Sequence, residues 1–335
     1  MDPEDSILSH QFDIVTNLSA YYNKIYVVTG KVNSINFPKN VIVLDTRWKP
    51  GSPIGSIFRL IQAVSKLKKE KIDVVFYHMV DVQASILCTY FKMKRIKQYL
   101  WYAHAHKSVY LNFSSFFCDG IISSTEGSCP IDSKKVKLIG QSIDETLFQN
   151  PNYNQGNLTK LVHFGRIDKI KNIDKIICEV AELRSENFIL TLDFFGREAV
   201  DKTNSNYLNY LKLEFANFTN EGWLNFHEPV KRTMIPELIR RFHIFVHAYL
   251  GSLDKSILEA TFLGIPVVTL NKEYLKEFGT WGAHNDLTNI KQELRALLKL
   301  GLEDRTNELI RRRNLAMYQH SMTNWIHKLI EILND

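Results

Sequence analysis

The sequence has few cysteines, and none are spaced for a metal or a redox couple. Cys88, Cys118, Cys129 and Cys178 lie scattered with no Cys-x-x-Cys pair. That argues against a zinc knuckle or disulfide framework and for a reducing compartment. No apolar run approaches the roughly 20 residues a membrane helix needs. The start, Met1-Asp2-Pro3-Glu4-Asp5, is acidic and lacks the apolar stretch of a secretory signal, so a cytoplasmic location is expected. Also missing are Asp-x-Asp, a Walker loop, Gly-x-Gly-x-x-Gly and Gly-x-Ser-x-Gly. These gaps disfavour a metal-held nucleotide, a nucleotide kinase, a dinucleotide dehydrogenase and a serine hydrolase. Neither a metal nor a cofactor is expected.

At 335 residues the chain is long for one core and fits two domains of about 150 residues each. A 45% hydrophobic and 23% charged composition is that of a soluble globular protein rather than a disordered one. Much of the net charge of +6 sits in two clusters, Lys66-Leu67-Lys68-Lys69-Glu70-Lys71 and Lys92-Met93-Lys94-Arg95-Ile96-Lys97. Both fall where a helix should end. Two readings fit: cations complementing helix dipoles, or a basic face for peripheral contact with an anionic membrane or another polyanion.

Apolar runs at 24–29, 41–44, 73–78, 98–103, 120–124 and 136–139 read as parallel strands buried on both faces, with helical periodicity between them. The polar stretch 150–157, with Pro151 and Gly156, reads as a linker. The alternation then restarts, with strands expected at 160–164, 188–195, 223–226, 244–247 and 266–270. The fold class is therefore α/β, with two doubly wound parallel-sheet domains facing a cleft. The divisions are 1–148, 149–318 and a helical tail, 319–335, expected to cross back to the first domain. A doubly wound domain usually opens on a buried strand, whereas this chain opens on a polar loop. Either a first strand precedes Met1, or the sheet begins at Ile25.

Three places carry candidate chemistry. After the strand at 160–164, Gly165 permits a tight turn. Arg166 and Lys171 then stand beside a helix start, which suits a diphosphate or is merely a solvated loop. In Leu250-Gly251-Ser252-Leu253-Asp254, followed by an apolar helix carrying Glu259, Asp254 or Ser252 is expected to cap the helix. Glu259 is either on the helix's wet edge or accepts hydrogen bonds from a ligand's hydroxyls. His104 and His106 follow the strand at 98–103, where cleft residues belong; ligand contact fits them better than metal binding. His78 closes its strand in the same way.

These motifs resemble family 4 glycosyltransferases of the GT-B fold, most closely over about Leu161 to Leu270. Gly165-Arg166-x4-Lys171 is similar to that family's phosphate clamp, and Phe195-Gly196 to its Val-Gly turn. Leu258-Glu259-Ala260 is similar to the end of its acid-x7-acid motif, and Gly264-x-Pro266-Val267-Val268 to its Gly-x-Pro-Val-Val. The first half resembles a bacterial surface-polysaccharide subset through Asp2-Pro3-Glu4-Asp5 and Trp101-Tyr102-Ala103-His104. In that subset a strand commonly precedes the acidic loop.

The resemblance implies a donor-binding second half and an acceptor-binding first half. Arg166 and Lys171 would hold the diphosphate of a nucleotide sugar. Gly165, Gly196, Ser252, Leu253 and Asp254 would lie around it, Glu259 on the ribose and His104 facing the transferred sugar. The implied reaction is retaining transfer to a saccharide or lipid-linked saccharide in surface polysaccharide or glycoconjugate synthesis, with no metal. The first acid of the motif is replaced by Gly251, and Asp254 is the candidate to stand in for it. Other readings are a catalytically weakened sugar-nucleotide binder, a sugar-nucleotide epimerase or hydrolase, and an enzyme acting on nucleic acid; the resemblance argues against a nucleic-acid partner.

Overall fold

The structure is a computed structural model and describes residues 10–32, 36–49, 51–153, 156–198, 206–282 and 289–335. In chain order the strands are β1 (Ile25–Thr29), β2 (Val41–Asp45), β3 (Val74–His78), β4 (Lys97–Trp101), β5 (Gly120–Ser123), β6 (Val136–Leu138), β7 (Lys160–Phe164), β8 (Thr191–Phe195), β9 (Leu224–His227), β10 (Ile244–His247) and β11 (Val267–Thr269). All pairings between these strands are parallel. The first half holds a β1-β2 pair and a β3-β4-β5-β6 sheet; the second holds one sheet ordered β11-β10-β7-β8-β9.

Continuous apolar runs form these strands because each large sheet is covered on both faces. In β10, Ile244 and Val246 enter one apolar cluster and Phe245 the other. In β4, Tyr99 and Trp101 face one cluster and Leu100 the opposite one. The strand expected over 188–195 begins only at Thr191; Ile189 is exposed and Leu190 is not in the ladder.

The start of the chain lies partly outside the described residues, so the reading of Asp2 to Ser6 as a loop falls there. The first described element is the helix His10–Leu18. Ile143 and Phe148 pack in the second half's core. The C-terminal tail is two helices, Leu302–His320 and Met322–Asn334, split at Ser321. Ser321 is extended and caps the second helix through Asn324 N–H. Beside it, Ile143 N–H donates to His320 O at 2.8 Å and Met322 N–H to Ile143 O at 2.7 Å. The outgoing and returning crossings between the halves are thus hydrogen-bonded to each other. The last helix packs Trp325, Ile326 and Leu329 against Trp101, Ile122 and Ile14 of the first half.

Two histidines in the strands have depressed pKa values, buried His163 and half-buried His78. His163 in β7 donates from Nδ1 to Val246 O at 2.9 Å and stacks on Phe245. His78 ends β3 and stacks on Trp101. Burial pushes both pKa values down to about 3, because a buried imidazolium loses its hydration.

Two stability measurements follow from this packing. Trp325 is fully buried, so Trp325→Ala should cost about 3–5 kcal/mol in urea unfolding. Unfolded histidines take up protons near pH 6.5, whereas folded His163 and His78 stay neutral to about pH 3. The unfolded state therefore binds more protons between those limits, and stability should fall as pH drops from about 6.5 towards 3. Urea midpoints at stepped pH values check this, and His163→Phe should reduce the slope.

Candidate active site

In the second sheet the chain runs β7 to β8 to β9 on one side, then returns to place β10 against the other edge of β7. The loops after β7 and β10 diverge there, which opens a crevice at the carboxyl ends of the two strands. Both loops singled out in the sequence border this crevice.

The loop after β7 is held by close backbone approach. Gly165 has φ of 146°, a conformation that favours glycine. Gly165 N–H donates to Phe195 O at 3.0 Å. A Cβ on Gly196 would stand 1.8 Å from Gly165 O, so Gly196 gives clearance behind the loop. Asp168 accepts from Ile170 N–H and starts a short turn of helix, Lys169–Lys171. Asn172, at φ 50°, donates from Nδ2 to Ala248 O at 2.8 Å and ties this loop to the end of β10. Arg166 stands exposed, whereas Lys171 is buried. The reading of a merely solvated loop therefore fails for Lys171.

Lys171 Nζ forms an ion pair with the Asp254 carboxylate and lies 4.0 Å from the centre of the Tyr249 ring. Asp254 also takes a hydrogen bond from His247 Nε2 at 3.3 Å and caps the helix Lys255–Phe262 through Ser256 N–H. A carboxylate only accepts, so His247 carries its proton on Nε2, and its Nδ1 faces the Thr269 hydroxyl at 3.0 Å. Burial alone would raise the Asp254 pKa, but Lys171 and His247 outweigh it and hold the group well below the usual carboxylate range.

The loop after β10 is clamped from below. Asn271 Nδ2 lies 3.1, 3.0 and 3.1 Å from the carbonyls of Tyr249, Gly251 and Ser252. Its Oδ1 caps the next helix at Tyr274 N–H. The first half completes the clamp: Ser128 Oγ accepts from Leu253 N–H at 3.0 Å, and Gln141 Nε2 donates to Leu253 O at 2.9 Å. Ser252 and Leu253 are both buried. At Gly251 an added Cβ would lie 2.1 Å from the Tyr249 hydroxyl. Tyr249 thus fills the space beside Gly251, while Asp254 faces Lys171.

Glu259 is buried, which rules out the wet edge. Its Oε1 accepts from Arg232 Nε at 3.2 Å, and the same guanidinium reaches Asp13 of the first half at 3.3 Å. Burial raises the Glu259 pKa, opposed by Arg232. Lys255, four residues before Glu259 on one helix face, donates to Ser142 O and Oγ at 3.3 and 3.2 Å. Burial, then Arg232, lowers its pKa to about 7.

His104 comes from the loop after β4 in the first half. Its pKa is depressed by partial enclosure, then by Arg166, with Lys171 contributing in the same sense. His104 thus feels the positive charge of Arg166 and Lys171 from the second half. Among the described residues no cluster of three or more His, Cys, Asp or Glu is placed to hold a metal.

Tyr249, Asn271, Arg232, Ser128, Gln141 and His163 were not singled out in the sequence. Only Asn271 carried a legible signal, as an N-cap residue between a strand and the run Lys272-Glu273-Tyr274-Leu275. The others act through contacts between distant segments.

Comparison with known proteins fits this geometry. The profile of the family described as "Glycosyl transferases group 1" matches residues 144–312. No curated protein sequence matches. Among solved structures, Anabaena HepE in complex with UDP and glucose has a TM-score of 0.74 at 14% identity, covering 99% of this chain and 98% of that one. A glycosyltransferase from Rickettsia africae has a TM-score of 0.76 at 12% identity, covering 99% and 95%. Sucrose-phosphate synthase from Thermosynechococcus elongatus has a TM-score of 0.75 at 10% identity, covering 97% and 92%. Similarity at these identities speaks for the fold. The family match spans half of the chain, and the protein belongs to the group 1 glycosyl transferases as a glycosyltransferase of GT-B fold.

Proposed function

We propose that the protein is a family 4 enzyme that transfers a sugar from a nucleotide diphosphate sugar to a saccharide or lipid-linked saccharide, with retention at the anomeric carbon. Its product would serve surface polysaccharide or glycoconjugate synthesis. The observation that carries this reading is the buried Lys171 at the β7/β10 crevice, ion-paired with Asp254 from the loop after β10. The UDP bound by Anabaena HepE supports the choice of a nucleotide donor.

The chemical demand is negative charge building on the diphosphate as the glycosidic bond breaks. Arg166 and Lys171 supply preorganised positive charge for it, and we assign the reaction no metal. Asp254 already sits on Lys171, so a bound diphosphate competes with that carboxylate for the ammonium. Glu259 would take the ribose hydroxyls, a role that requires it to share or exchange Arg232. The transferred sugar would lie between His104 and the Gly251 loop, where Tyr249 offers a ring and a hydroxyl in place of an acid. The leaving phosphate would help deprotonate the acceptor hydroxyl. Residues 1–148 would take the acceptor and 149–318 the donor.

Peripheral contact with an anionic membrane is part of the proposal. Three helices, Pro53–Ser65, Asp81–Met93 and Val109–Phe117, cover one face of the first half, with Leu60, Leu87 and Leu111 packed inward. Their outer sides expose Ile54, Phe58, Met93, Val109, Phe113 and Phe116. The cation-rich segments around Lys66 and Lys94 follow the first two helices. Apolar side chains flanked by lysines suit a charged lipid interface. No described helix is long and apolar enough to cross a membrane.

Two experiments bear on this. A sugar-nucleotide panel read by release of the nucleotide diphosphate identifies the donor. With that donor, Lys171→Ala and Arg166→Ala should each lower turnover about 10²–10³-fold with an unchanged circular dichroism spectrum; near-normal turnover in both would remove the phosphate assignment. The chain should co-sediment with vesicles containing phosphatidylglycerol and much less with phosphatidylcholine alone, and Phe113→Glu with Phe116→Glu should abolish the difference.

A further inference from the structure

Arg232 closes the loop after β9 and opens the short turn Arg232–Met234. Its guanidinium is held at two points. Nε donates to Glu259 Oε1 at 3.2 Å, and Nη1 donates to Asp13 Oδ2 at 3.3 Å. The centre of the Phe148 ring lies 5.8 Å from it. Asp13 sits on the helix His10–Leu18, whose Ile14 and Leu18 pack in the core of the first half. Glu259 lies within the buried run of the helix Lys255–Phe262. Packing fixes both anchors, and with them the orientation of the guanidinium between them.

One donor of this guanidinium is left over. Nη2 is buried and has no hydrogen-bond partner among the described residues. An arginine presents Nε and Nη2 along one edge, the edge that takes both oxygens of a carboxylate in a side-on pair. Here that edge is half used: Glu259 Oε1 sits on Nε, and Oε2 does not close on Nη2. The side chains of Arg232 and Glu259 are only 12% and 7% exposed, so bulk solvent does not supply the missing partner. A buried donor left unpaired is costly, and the fold keeps this one.

The chemistry of the pair says what fits it. A guanidinium only donates and a carboxylate only accepts. A group placed between Nη2 and Oε2 must accept from the first and donate to the second, which a hydroxyl does. A carbonyl, ether or phosphate oxygen would satisfy Arg232 but not Glu259. Glu259 lies five residues after Asp254, about 7.5 Å along the helix axis, and Asp254 marks the end where Lys171 stands. That is the scale separating a phosphate from the ribose hydroxyls of one nucleotide.

We infer that Arg232 is a specificity-determining residue for the nucleotide: its Nη2 donates to the ribose hydroxyl that itself donates to Glu259 Oε2, and the site thereby selects a ribonucleotide over its deoxy form. The inference rests on the donor reading above, in which Glu259 faces the ribose. Asp13 is then a positioning residue, which holds Nη1 from the first half and aims the guanidinium edge at the hydroxyl. Recognition of the nucleotide thus depends on a contact between the halves. Loss of the hydroxyl leaves a buried donor and a buried acceptor unpaired together, so the analogue lacking it is rejected strongly.

The test is calorimetric binding of the diphosphates of uridine, adenosine and guanosine, and then of the 2′-deoxy and 3′-deoxy forms of the tightest. In the wild-type chain one of the two deoxy forms should bind at least about 100-fold more weakly. Arg232→Met should cut that penalty to about tenfold or less, and Asp13→Ala should cut it part-way. A displaced Glu259 would have the same effect, so the comparison is repeated in a Glu259→Gln background, where Arg232→Met should lower the penalty again. Lys171→Ala should weaken the ribo and deoxy forms alike. If Arg232→Met does not fold, Arg232→Lys, which keeps a charge beside Glu259 but not the guanidinium edge, is read in the same way. The inference alone is overturned if the wild-type chain binds ribo and deoxy forms within about threefold. It is equally overturned if the arginine variant leaves the penalty unchanged, or changes it only while Glu259 is present. If none of the three ribonucleotides binds, the donor reading falls and takes the inference with it.

Discussion

The parallel pairing of β7 with β10 governs the second half of this protein. Because the chain reverses its lateral direction there, the loops after the two strands part and leave a crevice. Lys171 arrives from one loop and Asp254 from the other. Their ion pair, with His247 behind it, is the direct consequence of that adjacency. A buried ammonium without a counter-charge is costly, and Asp254 supplies that counter-charge to Lys171. Tyr249 over the same ammonium adds a cation–ring contact and fills the space beside Gly251.

The site is not the property of one half alone. Ser128 and Gln141 hold Leu253 by its amide and its carbonyl, Ser142 holds Lys255, and Arg232 spans Asp13 and Glu259. These contacts link the loop after β10 and its helix to the first half, so relative movement of the halves would also move the loop. The reciprocal hydrogen bonds at Ile143, His320 and Met322 fix where the two crossings meet and place any hinge beside them.

Much of this was legible because the signals are local. Strands buried on both faces read as apolar runs, Gly165 and Gly264 mark turns, and Asp254 reads as a cap. The expected strand at 188–195 started too early because apolar Phe188 and Ile189 read like ladder residues, although the pairing with β7 begins at Thr191. The tail read as helical from its periodicity, whereas the break at Ser321 lies where that residue bridges to Ile143, 178 positions earlier. Glu259 could be read as facing water or a ligand, because its burial and its Arg232 partner depend on residues distant in the chain.

By itself the sequence determined the two α/β halves, the loops that carry Arg166, Lys171 and Asp254, and the departure at Gly251. Those features rest on hydrogen bonding and side-chain patterning within short segments. The tertiary structure decided which charges meet: that Lys171 is paired rather than free, that Glu259 is buried under Arg232, and that Arg232 also reaches Asp13 of the first half. Each of these depends on residues far apart in the chain. Burial and charge pairing acquire definite values only once the fold has fixed distances between them.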